Sequence, residues 1–207
     1  MKTPKSLNAL EDLGRIRLSK SFFMRDMLYS EISNFYGIPN IPVDPDLAVH
    51  SARNLCENLL EPLQEAFGRI SIRSAYRSPT VNQFGNEKGL NCAKNEANYA
   101  GHIFDMRDAD GLCGATATVV VNSFIDYYEK TDDWQAMAWW IHDNLPPTDL
   151  CFFPKLAAFN ISWHESPGRT IKSHVTPRGI LTKPDRENFK GSHEAHYAAW
   201  LDYLKNN

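Results

Sequence analysis

The chain has 207 residues, 43% of them hydrophobic, and carries 22 Lys and Arg against 25 Asp and Glu, a net charge of −3. That length suits one sizeable core rather than two, and a slightly acidic balance without a basic run argues against a nucleic-acid partner. Residues 1–17 lack the apolar stretch of a signal peptide and no apolar run is long enough to span a bilayer, so the expectation is a chain without signal peptide or membrane span, cytoplasmic at synthesis.

Helical spacing comes first along the chain. In residues 21–36, Phe22, Phe23, Met27, Leu28, Ile32 and Phe35 recur at intervals close to a helical face. Gly37, with Pro39 beyond it, supplies the stop, so the spacing predicts one helix. Residues 40–46 contain Pro42 and Pro45 and are irregular. Leu47, Ser51, Leu55, Leu59, Leu60 and Leu63 then predict a second amphipathic helix, ended by Gly68.

Ile70 and Ile72 alternate with polar neighbours over residues 69–73, the two-residue period of a half-buried strand, which runs into the hexapeptide SAYRSP at 74–79. Residues 83–98, rich in Asn, Gly, Lys and Glu, read as a surface loop leading into a short strand at 100–106. Beyond it, 115–128 reads as a helix or as a buried strand followed by a helix. A helix over 134–142 ends before Pro146 and Pro147, and strands are expected at 157–163 and 170–175. Tyr197, Trp200, Leu201 and Leu204 share one face of a C-terminal helix over 193–204 that docks on the core. The four cysteines, Cys56, Cys92, Cys113 and Cys151, form no CxxC pair and read as reduced, mostly buried thiols.

Taken together, the first helix, GIPN at 37–40, a helix containing LEPL at 60–63, a strand, SAYRSP and then Asn82 resemble the opening half of the zinc D-alanyl-D-alanine carboxypeptidase family, over about residues 18–105. The resemblance implies an α+β, Hedgehog/DD-peptidase-like fold, a small antiparallel sheet with helices packed around it. It divides the chain into an N-terminal extension at 1–17, a domain at 18–190 with an insertion near 134–150, and a C-terminal helix at 191–207 docked on the same domain.

In that family the strand ending in SxYRS is followed by HxxGxAxD, whose His and Asp bind zinc, and later by a second His beside a Trp, with a Glu before it as general base. With Gly101 on the family glycine, Asp105 falls on the metal aspartate and His164, after Trp163, on the second histidine. Asn98 stands at the first metal histidine and Ile103 at the small alanine. Ile161, Ser162 and Trp163 include no carboxylate, whereas Glu165 follows His164. The resemblance therefore implies Zn2+ held by Asp105 and His164, and Arg77, Ser74, Tyr76 and Asn82 holding a peptidoglycan stem peptide; the chain's own residues offer His102 or His142 as third ligand and Glu165 as catalytic base in place of the missing one.

A hydrolytic zinc site requires three protein ligands, an open position for water and a carboxylate to take that water's proton. His102 lies three residues before Asp105, so a tight turn brings both side chains to one side while an extended strand separates them. Each residue also has a plain structural role open to it. Asp105 pairs with Arg107 or caps a turn at Gly111, and Glu165 pairs with Arg169 or another surface cation. His142 sits at a helix C-terminus, and Arg77 bridges to a carboxylate. His193 and His196, three apart, have no further ligand beside them. Two functions follow: a zinc peptidase acting on peptidoglycan, and a non-catalytic binding or structural module on the same fold, such as a phage particle component, for which Asn98 and Ile161 speak.

Overall fold

The structure is a computed structural model that describes residues 1–206. The first helix, α1 (Leu7–Gly14), starts at Ser6, whose hydroxyl accepts from the Ala9 N–H, and buries Leu13. The single helix expected over 21–36 is two short ones, α2 (Met24–Leu28) and α3 (Glu31–Tyr36). Tyr29 and Ser30 between them are extended, and the Ser30 hydroxyl accepts from the Ser33 N–H to start α3. A serine that caps a new helix competes with continuation of the old one. The break turns the second half of the apolar pattern outward, leaving Phe35 82% exposed. The expected stop at Gly37 is present as a left-handed cap with φ 66.

Asp44 caps α4 (Pro45–Leu55), with Pro45 preset for the first turn. A π-helical turn at Cys56–Leu60 joins it to α5 (Glu61–Phe67), which ends at Gly68 with φ 77. Within the wide turn the Glu61 N–H reaches back to the Cys56 carbonyl. The extra residue re-aims the helix face, so that Cys56, Leu59 and Leu60 are all fully buried.

Strand β1 (Ile70–Ser74) leads into Ser78, whose hydroxyl accepts from the Val81 N–H and, with Pro79 following, starts α6 (Pro79–Glu87). Part of the loop expected over 83–98 is therefore helical, because an N-cap serine and a first-turn proline start a helix regardless of polar composition. The strand expected at 100–106 is absent apart from a single bridge, Tyr99↔Ile103. Ala100 has φ 53, and the N–H groups of Gly101 and Ile103 both donate to the Asn98 carbonyl, which coils the segment into buried turns.

The remaining elements are β2 (Gly114–Val121), α7 (Ile125–Thr131), α8 (Gln135–Asn144), β3 (Asp149–Phe152), β4 (Phe159–His164), β5 (Ile171–Ser173), β6 (Gly179–Thr182) and α9 (Glu194–Lys205). One six-stranded sheet has the order β1-β2-β4-β3-β5-β6, antiparallel except for the parallel pair β3·β5. With its surrounding helices it makes a mixed helix-and-sheet fold.

Period-two alternation gives the central strands two unlike faces. Ala115, Ala117 and Val119 on β2, Phe159 and Ile161 on β4, and Leu150 and Phe152 on β3 point into the core, all 2% exposed or less. Helix α4 lies across β2 and β4 on that side. At the far end α9 inserts Trp200, fully buried, among Phe67, Phe124 and Tyr127 at ring-centroid separations of 5.7, 4.9 and 5.3 Å. All four cysteines are free and buried. Among the described residues no helix is long and apolar enough to cross a membrane.

Candidate functional site: a polar cleft on the sheet

The opposite face of the sheet is polar and forms the floor of a cleft of about 710 Å³. Strand register lays its side chains in rows. Ser74 pairs with Thr118, Thr118 with Asn160, Asn160 with Cys151, and Cys151 with Lys172, so one row crosses five strands. A second row runs Thr116, Ser162, Asp149. Hydrogen bonds stiffen the floor: Thr118 Oγ1 donates to Asn160 Oδ1 at 2.6 Å, and the Thr116 and Ser162 hydroxyls meet at 2.8 Å. The Asp149 carboxylate accepts from the N–H groups of Gly168 and Thr170, so it is occupied in holding the turn before β5. Walls come from the start of α3 and from the 90–98 loop.

Two nitrogen-bearing side chains stand at the β1 end. His102 is 6% exposed, with Nδ1 2.8 Å from the Ala75 carbonyl and its ring also bonded to the Asn160 side chain. Burial, and then the Arg77 charge, push its pKa down to about 3, so the ring is neutral. A carbonyl only accepts, so the single proton sits on Nδ1 and Nε2 is left as an acceptor.

Arg77 follows the end of β1, its backbone N–H held by the His102 carbonyl. Its guanidinium donates from one terminal nitrogen to Cys92 Sγ at 2.7 Å, while Nε is buried without any partner. Among the described residues no carboxylate pairs with it, and burial lowers its pKa from the ordinary arginine value. A buried, unpaired donor on a cationic group is costly unless something outside the chain satisfies it.

The residues matched to the zinc family are dispersed over separate networks. Asp105 is 2% exposed; Oδ2 accepts from the Val43 N–H, Oδ1 has no hydrogen bond, and burial raises its pKa. His164 places Nε2 3.0 Å from Asp108 Oδ2 and Nδ1 against the Ser166 backbone. His102 faces Ala75 and Asn160, and His142 Nε2 bonds to the Phe189 carbonyl. Asn98, at the family's first metal histidine, donates from Nδ2 to Asn82 Oδ1 and to the Ala93 and Lys94 carbonyls.

Among the described residues, two groups of three or more potential metal ligands have their donor atoms within 4.8 Å of one another: His50, Cys113 and Glu165, and His142, Asp143 and His193. Neither contains Asp105, His102 or His164. Glu165 accepts from the Cys113 N–H at 2.7 Å, and of the surface cations open to it Arg107 is the one that pairs, at 3.9 Å; Arg169 lies over the Phe189 ring. Asp108, rather than Asp105, caps the turn at Gly111.

No family model, curated protein or solved structure matches the chain.

Of the four residues expected to hold a peptide, Arg77 and Ser74 line the cleft. Tyr76 is fully buried against Phe104, with Asp105 as its charged neighbour, and Asn82, also fully buried, braces the 93–98 loop through Ala93 and Asn95. The cleft's floor residues Thr116, Thr118, Asn160, Ser162 and Lys172 escape a reading aimed at metal ligands. Their signal is the alternation in TATV at 116–119 and NIS at 160–162, which marks a strand polar on one side only.

Proposed function

We propose that the chain is a divergent DD-peptidase-fold protein that binds, without hydrolysing, the carboxylate of a peptide in the cleft above its sheet. The observation that carries this reading is the guanidinium of Arg77, which lines the cleft with no carboxylate of its own while its Nε–H, buried beneath the cleft surface, has no partner. A two-pronged donor of this kind suits a carboxylate. Lys172 adds a second positive charge at the far end of the same row, and the floor's hydroxyl and amide groups offer hydrogen bonds to peptide groups between the two. The cell-wall stem peptide, ending in a free D-alanine carboxylate, is the ligand the family resemblance suggests.

The test is a titration of the purified chain with a D-alanyl-D-alanine-terminated peptide and with its C-terminal amide. Binding of the acid that is at least about tenfold tighter than that of the amide, and lost on Arg77→Gln, supports the reading; a tenfold preference corresponds to about 1.4 kcal/mol. Equal affinity for acid and amide sinks it. Cleavage of the peptide on adding Zn2+, abolished by Asp105→Ala and His164→Ala, would instead establish the zinc peptidase.

A further inference from the structure

The two groups of clustered ligand side chains lie outside the cleft, and they differ in how far their atoms are already committed. In the His142–Asp143–His193 group, His193 Nδ1 meets Asp143 at 2.7 Å and Nε2 meets the Asn188 carbonyl at 2.9 Å, while His142 Nε2 is held by Phe189. Asp143 also accepts from the His193 N–H and the Tyr197 hydroxyl. That group is a hydrogen-bonded clasp joining α8 to the start of α9.

The His50–Cys113–Glu165 group is less committed. Its members come from three elements that the fold fixes independently. Gly114 pairs with His164 at the end of the β2·β4 ladder, so Cys113 and Glu165 sit opposite each other one residue further on. They are tied in both directions: the Cys113 N–H donates to the Glu165 carboxylate, and the Glu165 N–H donates to the Cys113 carbonyl. Helix α4 crosses both strands and brings His50 over the pair, its ring 6.1 Å from that of Trp163.

We propose that His50, Cys113 and Glu165 form a binding site for a divalent transition-metal ion of the zinc class, separate from the cleft. The donor set is one imidazole nitrogen, one thiol sulfur and one carboxylate oxygen. Sulfur and imidazole together select zinc-like ions over magnesium or calcium. Ligand atoms around tetrahedral zinc stand about 3.3–3.8 Å apart, given bonds of about 2.0–2.3 Å. The observed separations, all within 4.8 Å, need only side-chain rotation to close.

Cys113 is 1% exposed, whereas His50 and Glu165 are exposed, so a fourth coordination position faces solvent. Binding exchanges the Cys113 S–H proton, released to water, for a sulfur–metal bond. The groups that compete for the ligands are the Cys113 N–H on Glu165 Oε2, the Ser51 side chain on the Cys113 thiol, and Arg107, which is half-exposed, 3.9 Å from Glu165 and more closely bonded to the Gly111 carbonyl; Glu165 keeps its second oxygen for a metal.

The experiment uses the full chain under reducing conditions, titrated with Co2+ alone and then with Zn2+. The expected result is one equivalent of Co2+, a thiolate-to-cobalt charge-transfer band in the near ultraviolet, and its loss when Zn2+ displaces cobalt. Cys113→Ser should remove the band. His50→Ala and Glu165→Gln should each weaken binding by at least about tenfold, while His142→Ala and Arg77→Gln leave it unchanged. No stoichiometric binding by the parent chain, a band that survives Cys113→Ser, or equal losses in His142→Ala would overturn the proposal. Because Cys113 is buried, its variant is paired with the two surface variants, which remove ligands without disturbing the core. The Arg77→Gln arm separates this outcome from that of the cleft.

Discussion

Acidification from pH 7 to pH 5 probes His102, because the folded chain holds this ring neutral down to about pH 3 while the unfolded chain protonates it near the ordinary histidine value of about 6.5. Between those two values the unfolded state binds a proton that the folded state refuses. The contribution is therefore fully present above pH 6.5 and is lost as the pH falls through the window. Integrating the linkage relation for one such site from pH 7 to pH 5 gives a loss of about 2 kcal/mol. Asp105 works in the opposite direction, since its carboxyl is raised by burial and favours the folded state as the pH falls.

The assay that isolates His102 is urea unfolding of the parent chain and of His102→Gln at both pH values. The parent should lose about 2 kcal/mol more than the variant, with shared groups such as Asp105 cancelling in the comparison. Identical pH dependence in the two proteins would refute the argument. So would an imidazole resonance of His102 that titrates near pH 6 in the folded protein.

Two further substitutions test the packing. Trp200→Ala removes the side chain that anchors α9 among Phe67, Phe124 and Tyr127, and should cost about 3–5 kcal/mol in chemical unfolding, more than any surface change on the same helix. Gly114→Ala would drive a methyl into the Ala100 carbonyl, the His164 ring and the Trp163 carbonyl, where two of the three neighbours are main chain. A loss of about 3 kcal/mol, at the top of the overpacking range, should appear as a lowered melting temperature.

Sequence periodicity located elements well where one face is wet and the other dry. The alternation of Ile70 and Ile72 marks β1, and the spacing of Tyr197, Trp200 and Leu204 marks α9. It misled where apolar residues are buried for other reasons. Residues 21–36 keep helical spacing although only the first half, with Phe22, Met24 and Met27, enters the core while α3 has no buried residue, and only the Ser30 cap betrays the break. Ile103 and Phe104 are fully buried in turns rather than in a strand. Four-residue β3, lying between a double proline and Pro154, is too short for its DLCF pattern to show a period.

For the site, the hexapeptide at 74–79 pointed to Arg77, which lines the cleft, but spacing in the chain does not state what a side chain meets. Asn98 reads equally as a failed ligand or as a brace until its three acceptors are seen. Cys113 and Glu165 lie 52 positions apart and carry no shared motif; they become neighbours only through the register of β2 on β4.

The row Ser74, Thr118, Asn160, Cys151, Lys172 takes one residue from each of five strands. Its last member arrives on β5, which joins the sheet parallel to β3 and so must wait for the chain to pass through β4 and return. Non-local pairings of this kind form late, because the loop must close before any contact rewards it. Arg77 is thus synthesised long before its own supports, His102 and β2, and before the far end of the floor. On the proposed function, ligand capture would report finished folding, and a chain truncated before β5 would lack the Lys172 end of the site.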